Sequence, residues 1–161
     1  MALTPEEKHE RRIDRLEQTL KCLQLNKAIN NVAAEFQRFI KLSESDEYGT
    51  VTCVTCGVQG DWNATKGVMG ALFDAGHFYS RKHAATIFCP MNVHVQCVGC
   101  NRYKSGNLDE YRKYMEARYS QEQLEWLHLE HFKIKQWTRR ELAELKAGYL
   151  DGIKREKERI A

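Results

Sequence analysis

The chain has 161 residues and a mass of 18.8 kDa, which at roughly 100–200 residues per domain leaves room for one domain with appendages and excludes two large ones. Hydrophobic residues make up 42% and charged residues 29%, too apolar for a disordered chain and too polar for a membrane protein. The net charge of +3 is concentrated in the last third, where residues 101–161 carry 14 basic and 11 acidic groups; this suits a nucleic-acid partner and equally suits a solvated helical surface.

Glu6, Glu7, Arg11 and Arg12 stand where a secretory signal needs an apolar run, and no window reaches the ~18 apolar residues of a membrane span. A cytoplasmic protein without membrane contact is expected. From Thr4 to about Leu42 the sequence reads as one long helix, with Thr4 as N-cap, Pro5 at the first helical position and acids in the first turn. Ile13, Leu16, Leu20 and Leu23, then Ile29, Val32, Phe36, Phe39 and Ile40, recur at three and four residues and make one apolar stripe. A straight helix of roughly 38 residues would be about 57 Å long at 1.5 Å per residue, longer than a small domain is wide. Residues 1–48 are therefore expected either to pack on their own domain or to project and pair with a second copy as a homodimer.

The polar stretch Ser43–Gly49 marks the start of a different region. Residues 49–106 hold 8 of the 10 glycines and 5 of the 6 cysteines, with few charges and only short apolar runs. A segment of about 55 residues with so little apolar content cannot stabilise itself by core burial alone, so a crosslink is expected. Four cysteines form two CxxC pairs, Cys53/Cys56 and Cys97/Cys100, separated by forty residues. Each pair places two sulfurs on one side of a turn, and two such turns close a tetrahedral Zn²⁺ site. Disulfides are disfavoured in the cytosol, and a dithiol redox protein would need one exposed CxxC rather than two matched ones. Cys22 and Cys89 read as buried apolar residues.

Zinc with four cysteines has no open position, so any chemistry must come from other residues. Between and after the pairs the chain carries Asp74-Ala75-Gly76-His77, His83, Asn92, His94, and Asn101 within Cys100-Asn101-Arg102-Tyr103-Lys104. A histidine followed by an asparagine and a second polar ligand just past a CxxC is the order found in HNH, or ββα-metal, nucleases. Beyond Gly106 three helices are expected, each with a capping-box spacing: Asn107 with Glu110, Ser120 with Gln123, and Thr138 with Glu141. Their aromatic and aliphatic stripes, among them Tyr111, Tyr114, Trp126, Phe132 and Tyr149, read as packing faces. The expected division is residues 1–48, 49–118 and 119–161.

The run from Asp74 through Gly76-His77 to Ser80, and above all the run from Asn92 through Cys97-Val-Gly-Cys100-Asn101-Arg102-Tyr103-Lys104 to Arg112, resembles the NinG/Rap recombination proteins of lambdoid phages. The resemblance extends more loosely from about Val51 to Tyr149 and does not cover the N-terminal helix. It implies an α+β fold in which a small zinc-stapled ββα-metal core is flanked by the N-terminal helix and C-terminal helices. It also implies a structure-specific endonuclease acting on branched DNA in the cytoplasm of a bacterial host, beside other recombination proteins. The arrangement is similar as well to the zinc-stapled resolvase endonuclease VII of phage T4, in which an Asp and an Asn directly after the last zinc cysteine hold magnesium.

On that reading His77 is the general base that deprotonates water. Asp74 and Asn101 are hard oxygen ligands for one Mg²⁺ or Mn²⁺. Asn92 orients the imidazole of His77 through its backbone carbonyl, and Arg81, Arg102 and Lys104 hold phosphates without reading sequence. One departure stands out. Many HNH nucleases place the metal-binding Asp directly before the histidine, and here that position is Gly76. Asp74 serves only if the chain bends it back to the site; otherwise His77 binds the metal and His83 or His94 becomes the base. The alternative function is a non-catalytic, treble-clef-like zinc module that binds DNA. Since a junction nuclease must cut two opposing strands, a symmetric dimer is expected.

Overall fold

The structure, a computed structural model, describes residues 4–21, 23–64 and 72–160. Thr4 starts helix α1 (Pro5–Lys21) with a reciprocal cap: the Glu7 N–H donates to Thr4 Oγ1 at 3.2 Å and the Thr4 N–H donates to Glu7 Oε2 at 2.8 Å. The expectation of one continuous helix to Leu42 is corrected, because a second helix, α2 (Leu25–Ser43), begins after Gln24, whose backbone is extended at φ −60° and ψ 148°. Cys22 lies outside the described residues. No glycine or proline announces this break. Its cause is the last helix, α5 (Arg139–Arg159), which packs against both α1 and α2. A straight rod would carry half its stripe past α5; folding back lets both halves bury against it. Arg139 Nη2 reaches the turn and donates to the Leu23 carbonyl at 2.5 Å.

Ile13, Leu20, Val32, Phe36 and Ile40 are accordingly buried with Leu142, Ala147 and Tyr149 of α5. The Phe36 ring lies edge-on to Phe88 at 5.8 Å and tilted on Tyr149 at 5.0 Å. Gly152 sits where α5 meets α2, and a Cβ there would lie 2.6 Å from the Phe39 ring.

Two small antiparallel sheets follow α2. In the first, β1 (Thr50–Thr52) pairs with β2 (Gln59–Asp61), and the connection between them carries Cys53 and Cys56. In the second, β3 (Phe73–His77) pairs with β4 (Val93–Cys97), with Phe73 opposite Cys97 and His77 opposite Val93. After β4 the chain makes a π-helical turn, Gly99–Tyr103, and enters α3 (Leu108–Arg118). Phe73, Ala75, Val93 and Val95 belong to the same core as α1, α2 and α5, so the flanking helices and the middle region share one core in an α+β arrangement. α4 (Gln121–Glu130) closes a smaller cluster, in which Leu127 covers Tyr111 and Met115 of α3.

Ser120 and Thr138 cap α4 and α5 with complete capping boxes, as their spacing predicts. Asn107 does not. It is left-handed at φ 47° and ψ 52°, where an N-cap side chain cannot reach the first turn, and its amide donates instead to the Thr55 carbonyl at 3.4 Å. No helix of the described residues is long and apolar enough to cross a membrane.

Candidate metal centre and adjoining polar cleft

The β1–β2 connection brings Cys53 and Cys56 to the end of β4, where Cys97 and Cys100 stand, and the four sulfurs lie within 4.8 Å of one another. Cys56 and Cys97 Sγ are 3.7 Å apart, far beyond a disulfide bond of about 2.05 Å. That spacing matches the edge of about 3.8 Å in a tetrahedron with 2.3 Å metal–sulfur bonds. Backbone amides turn toward the sulfurs, as the Cys100 N–H does toward Cys97 Sγ at 3.4 Å. Burial opposes ionisation of Cys53, but hydrogen bonds from Thr55 and from the Cys97 amide outweigh it and bring that thiol down to about 6, whereas burial pushes the neighbouring Cys56 and Cys97 thiols up. The donor set, its spacing and its amide contacts fit a structural metal such as zinc, as the paired CxxC spacing predicts.

Directly beyond Cys100, the π-helical turn carries Asn101 and Arg102 to the flank of β3. There Asn101 Nδ2 donates to Asp74 Oδ2 at 2.9 Å, and Arg102 grips the same carboxylate with Nε on Oδ2 at 2.7 Å and Nη2 on Oδ1 at 2.8 Å. Burial alone would raise the Asp74 carboxyl; the hydrogen bonds from Arg102 and Asn101, then the charges of Arg102 and Lys41, hold it below the ordinary carboxylate value. Asp74, His77, Arg81, Asn101 and Arg102 line one cleft of about 450 Å³. Asp74 thus reaches the same cleft as Asn101 and His77, three residues before the histidine though it is.

Behind the strand, position 76 is closed to any side chain. A Cβ at Gly76 would stand 2.0 Å from Gln96 Oε1, and Gln96 is fully buried, with Nε2 donating to the Gly106 carbonyl at 2.7 Å and to Thr55 Oγ1 at 3.2 Å. Position 76 therefore has room for hydrogen alone. Gln96 ties β4 both to the loop of the first cysteine pair and to the left-handed stretch Ser105–Asn107 that starts α3.

His77 Nε2 lies 3.0 Å from the Ile87 carbonyl oxygen. A carbonyl only accepts, so in the neutral ring the proton sits on Nε2 and Nδ1 keeps its lone pair. Burial, followed by the charge of Arg81, lowers the imidazole to about 4 against the opposing pull of the Ile87 carbonyl, so the ring is neutral at pH 7. The carbonyl that orients it is that of Ile87, not that of Asn92. Asn92 acts one step away: its buried side chain donates to the Tyr79 and Thr86 carbonyls at 2.9 and 3.1 Å and accepts the Tyr79 N–H at 2.7 Å. Its own carbonyl takes the Phe78 N–H at 2.8 Å. Asn92 thereby fixes the loop on which Ile87 rides.

The other histidines are engaged elsewhere. His94 is buried, with Nδ1 2.5 Å from Glu44 Oε1 and Nε2 3.1 Å from the Tyr119 hydroxyl, and His83 packs edge-on against the His131 ring at 4.8 Å. Lys104 is exposed and does not line the cleft, whereas Arg81 does. The sequence reading missed Gln37 of α2 in the cleft wall and the bridging role of Tyr111. The Tyr111 hydroxyl donates to the Gly76 carbonyl at 2.8 Å and accepts the His94 N–H at 2.9 Å. Nothing in its helical spacing distinguishes it from a packing aromatic.

Comparison with known proteins extends the resemblance. The family profile described as "Bacteriophage Lambda NinG protein" matches residues 3–159, and so includes the N-terminal helices. Protein ninG of Escherichia phage lambda is 34% identical over 103 residues, covering 63% of this chain and 46% of that protein. Protein ninG of Salmonella phage P22 is 33% identical over the same length, with the same coverage. Protein ninG of Enterobacteria phage H19B is 39% identical over 79 residues, covering 48% of this chain and 39% of that protein. The chain thus spans less than half the length of these curated relatives. No solved structure matches. By the reach of the profile and the identity of these relatives, the chain belongs to the NinG family of bacteriophage proteins.

Proposed function

We propose that this protein is a structure-specific DNA endonuclease that hydrolyses phosphodiester bonds in branched recombination intermediates, Holliday junctions or D-loops, in the bacterial cytoplasm. The observation that carries the reading is the convergence of a neutral imidazole, a carboxylate, a carboxamide and two guanidinium groups in one cleft beside the cysteine cluster. The succession of antiparallel β3 and β4 and then α3 supports a ββα-metal core braced by zinc.

Asp74 and Asn101 would hold one Mg²⁺ or Mn²⁺ through oxygen donors, which suit a hard cation. Such an ion supplies stabilisation of the charge that develops on the leaving oxygen. His77 accepts the proton of the attacking water at Nδ1, while Ile87 keeps the opposite nitrogen protonated and the ring fixed. Arg81 and Arg102 bind phosphate oxygens at the cleft, and Lys104 extends the contact over the exposed surface beyond it. Two opposing cuts call for two copies of the chain. Because the stripe of α1 and α2 is buried against α5, the pairing surface lies elsewhere.

The test is cleavage of labelled four-way junction, D-loop and plain duplex by zinc-loaded protein with Mg²⁺, Mn²⁺ or EDTA, beside His77→Ala. Ion-dependent cuts on branched DNA that vanish in the variant, while zinc content and DNA binding persist, are expected. Tight binding without cleavage under any ion would instead establish a non-catalytic zinc-stapled DNA-binding module.

A further inference from the structure

Arg102 was assigned above to phosphate, yet in the structure its guanidinium grips Asp74 with two parallel hydrogen bonds, at 2.7 and 2.8 Å, while Asn101 holds Oδ2 at 2.9 Å. Three donors therefore occupy the two oxygens of the carboxylate assigned to the divalent ion. The Arg102 side chain is 63% exposed and that of Asp74 18% exposed. Asp74 is the fixed member of the pair, and Arg102 can leave with little loss of packing.

We propose that Arg102 is a latch on the cation site: it closes the Asp74 carboxylate until a DNA phosphate takes the guanidinium, and only then does the divalent ion bind tightly. The inference rests on the divalent-ion reading of Asp74 and Asn101. A Mg²⁺ ion sits about 2.0–2.1 Å from a carboxylate oxygen, and a guanidinium clamped across both oxygens blocks that approach sterically and by like charge. The ion and the fork are alternatives. Phosphate is the natural competitor for Arg102, since its oxygens match the guanidinium fork as well as a carboxylate does. Arg81 lines the same cleft and has no ion pair among the described residues, so an incoming phosphate meets a second, unoccupied cation there. Metal and DNA are then coupled through one side chain. By linkage each must tighten the other's binding by the same factor, and the protein without DNA holds its ion weakly.

The test uses zinc-loaded protein in a His77→Ala background, so that DNA survives. Mn²⁺ affinity of the DNA-free protein is read from the electron paramagnetic resonance signal of the free ion, and junction affinity from fluorescence anisotropy with and without Mn²⁺. Removing an exposed bidentate competitor in Arg102→Gln should tighten Mn²⁺ binding roughly twofold to fivefold. The gain in junction affinity on adding Mn²⁺ should shrink by the same factor, with Arg102→Lys, which keeps the charge without the fork, between the two. Unchanged or weaker Mn²⁺ binding by Arg102→Gln overturns the latch. Asp74→Asn separates that failure from a deeper one: if it binds Mn²⁺ as the parent does, the ion is not at Asp74, and the divalent-ion reading falls along with the latch.

Discussion

Replacing Tyr111 with Phe tests whether one hydroxyl sets the end of β3 where His77 stands. Tyr111 is fully buried, and its hydroxyl bridges the Gly76 carbonyl at 2.8 Å and the His94 N–H at 2.9 Å, residues that face each other across β3 and β4. The Phe variant keeps the ring and its packing and deletes both hydrogen bonds, each worth about 1 kcal/mol net. Where the strands do not shift to pair them, the stranded N–H and carbonyl add a further penalty, at the lower end about 1 kcal/mol each. A loss of roughly 2–4 kcal/mol is expected, the lower end corresponding to strands that close up and displace Gly76. For a chain of this size that is about 5–15 °C in Tm. Urea unfolding of the zinc-loaded protein, followed by tryptophan fluorescence, measures it. A change below about 0.5 kcal/mol, the range of an inconsequential surface substitution, would refute the bridge.

Three further outcomes are expected. Cys97→Ser should lose zinc and unfold the middle region, because metal binding and folding are one process there; a variant with one zinc per chain and an unchanged melt contradicts the site. Gly152→Ala gains about 1 kcal/mol of helix propensity but drives a methyl against the Phe39 ring, which is stacked on Tyr149 at 5.7 Å. Overpacking of about 1–3 kcal/mol prevails, and a more stable variant would show that α2 and α5 are less tightly apposed. His77 is held at about 4 when folded against an ordinary 6.5, so the unfolded chain takes up the proton first as pH falls. Stability is then flat above 6.5 and declines by roughly 3 kcal/mol down to pH 4 from this residue, and His77→Gln should flatten that part of the pH–stability curve.

Local signals carried the sequence reading where chemistry acts over three or four residues. Thr4, Ser120 and Thr138 cap as their spacing predicts, and the two CxxC pairs converge because a shared ligand set leaves few other arrangements. What escaped was set by residues distant in sequence. The break before Gln24 depends on α5, more than a hundred residues later, and carries no glycine or proline. Asn107 has the spacing of a cap but is drawn into a left-handed turn by Thr55 and the Gln96–Gly106 bond. The residues of the cleft were legible as a set, while their partners were not: Ile87 contributes a backbone carbonyl, which no sequence pattern marks, and Asn92 acts through a loop.

The shared dependence of α1 and α2 on α5 also fixes the order in which the nascent protein can assemble. Arg159, at the end of α5, donates to the Leu42 and Ser45 carbonyls at 2.9 Å each, so the seam closes only once α5 has been made. At roughly 5–20 residues per second, the 116 residues between Ser43 and Arg159 take about 6–23 s to synthesise. Throughout that interval the apolar stripe of α1 and α2 has no permanent cover. All four clustered cysteines precede α5 in the chain, so a metal held there would set the middle while the stripe of α1 and α2 still waits for its cover.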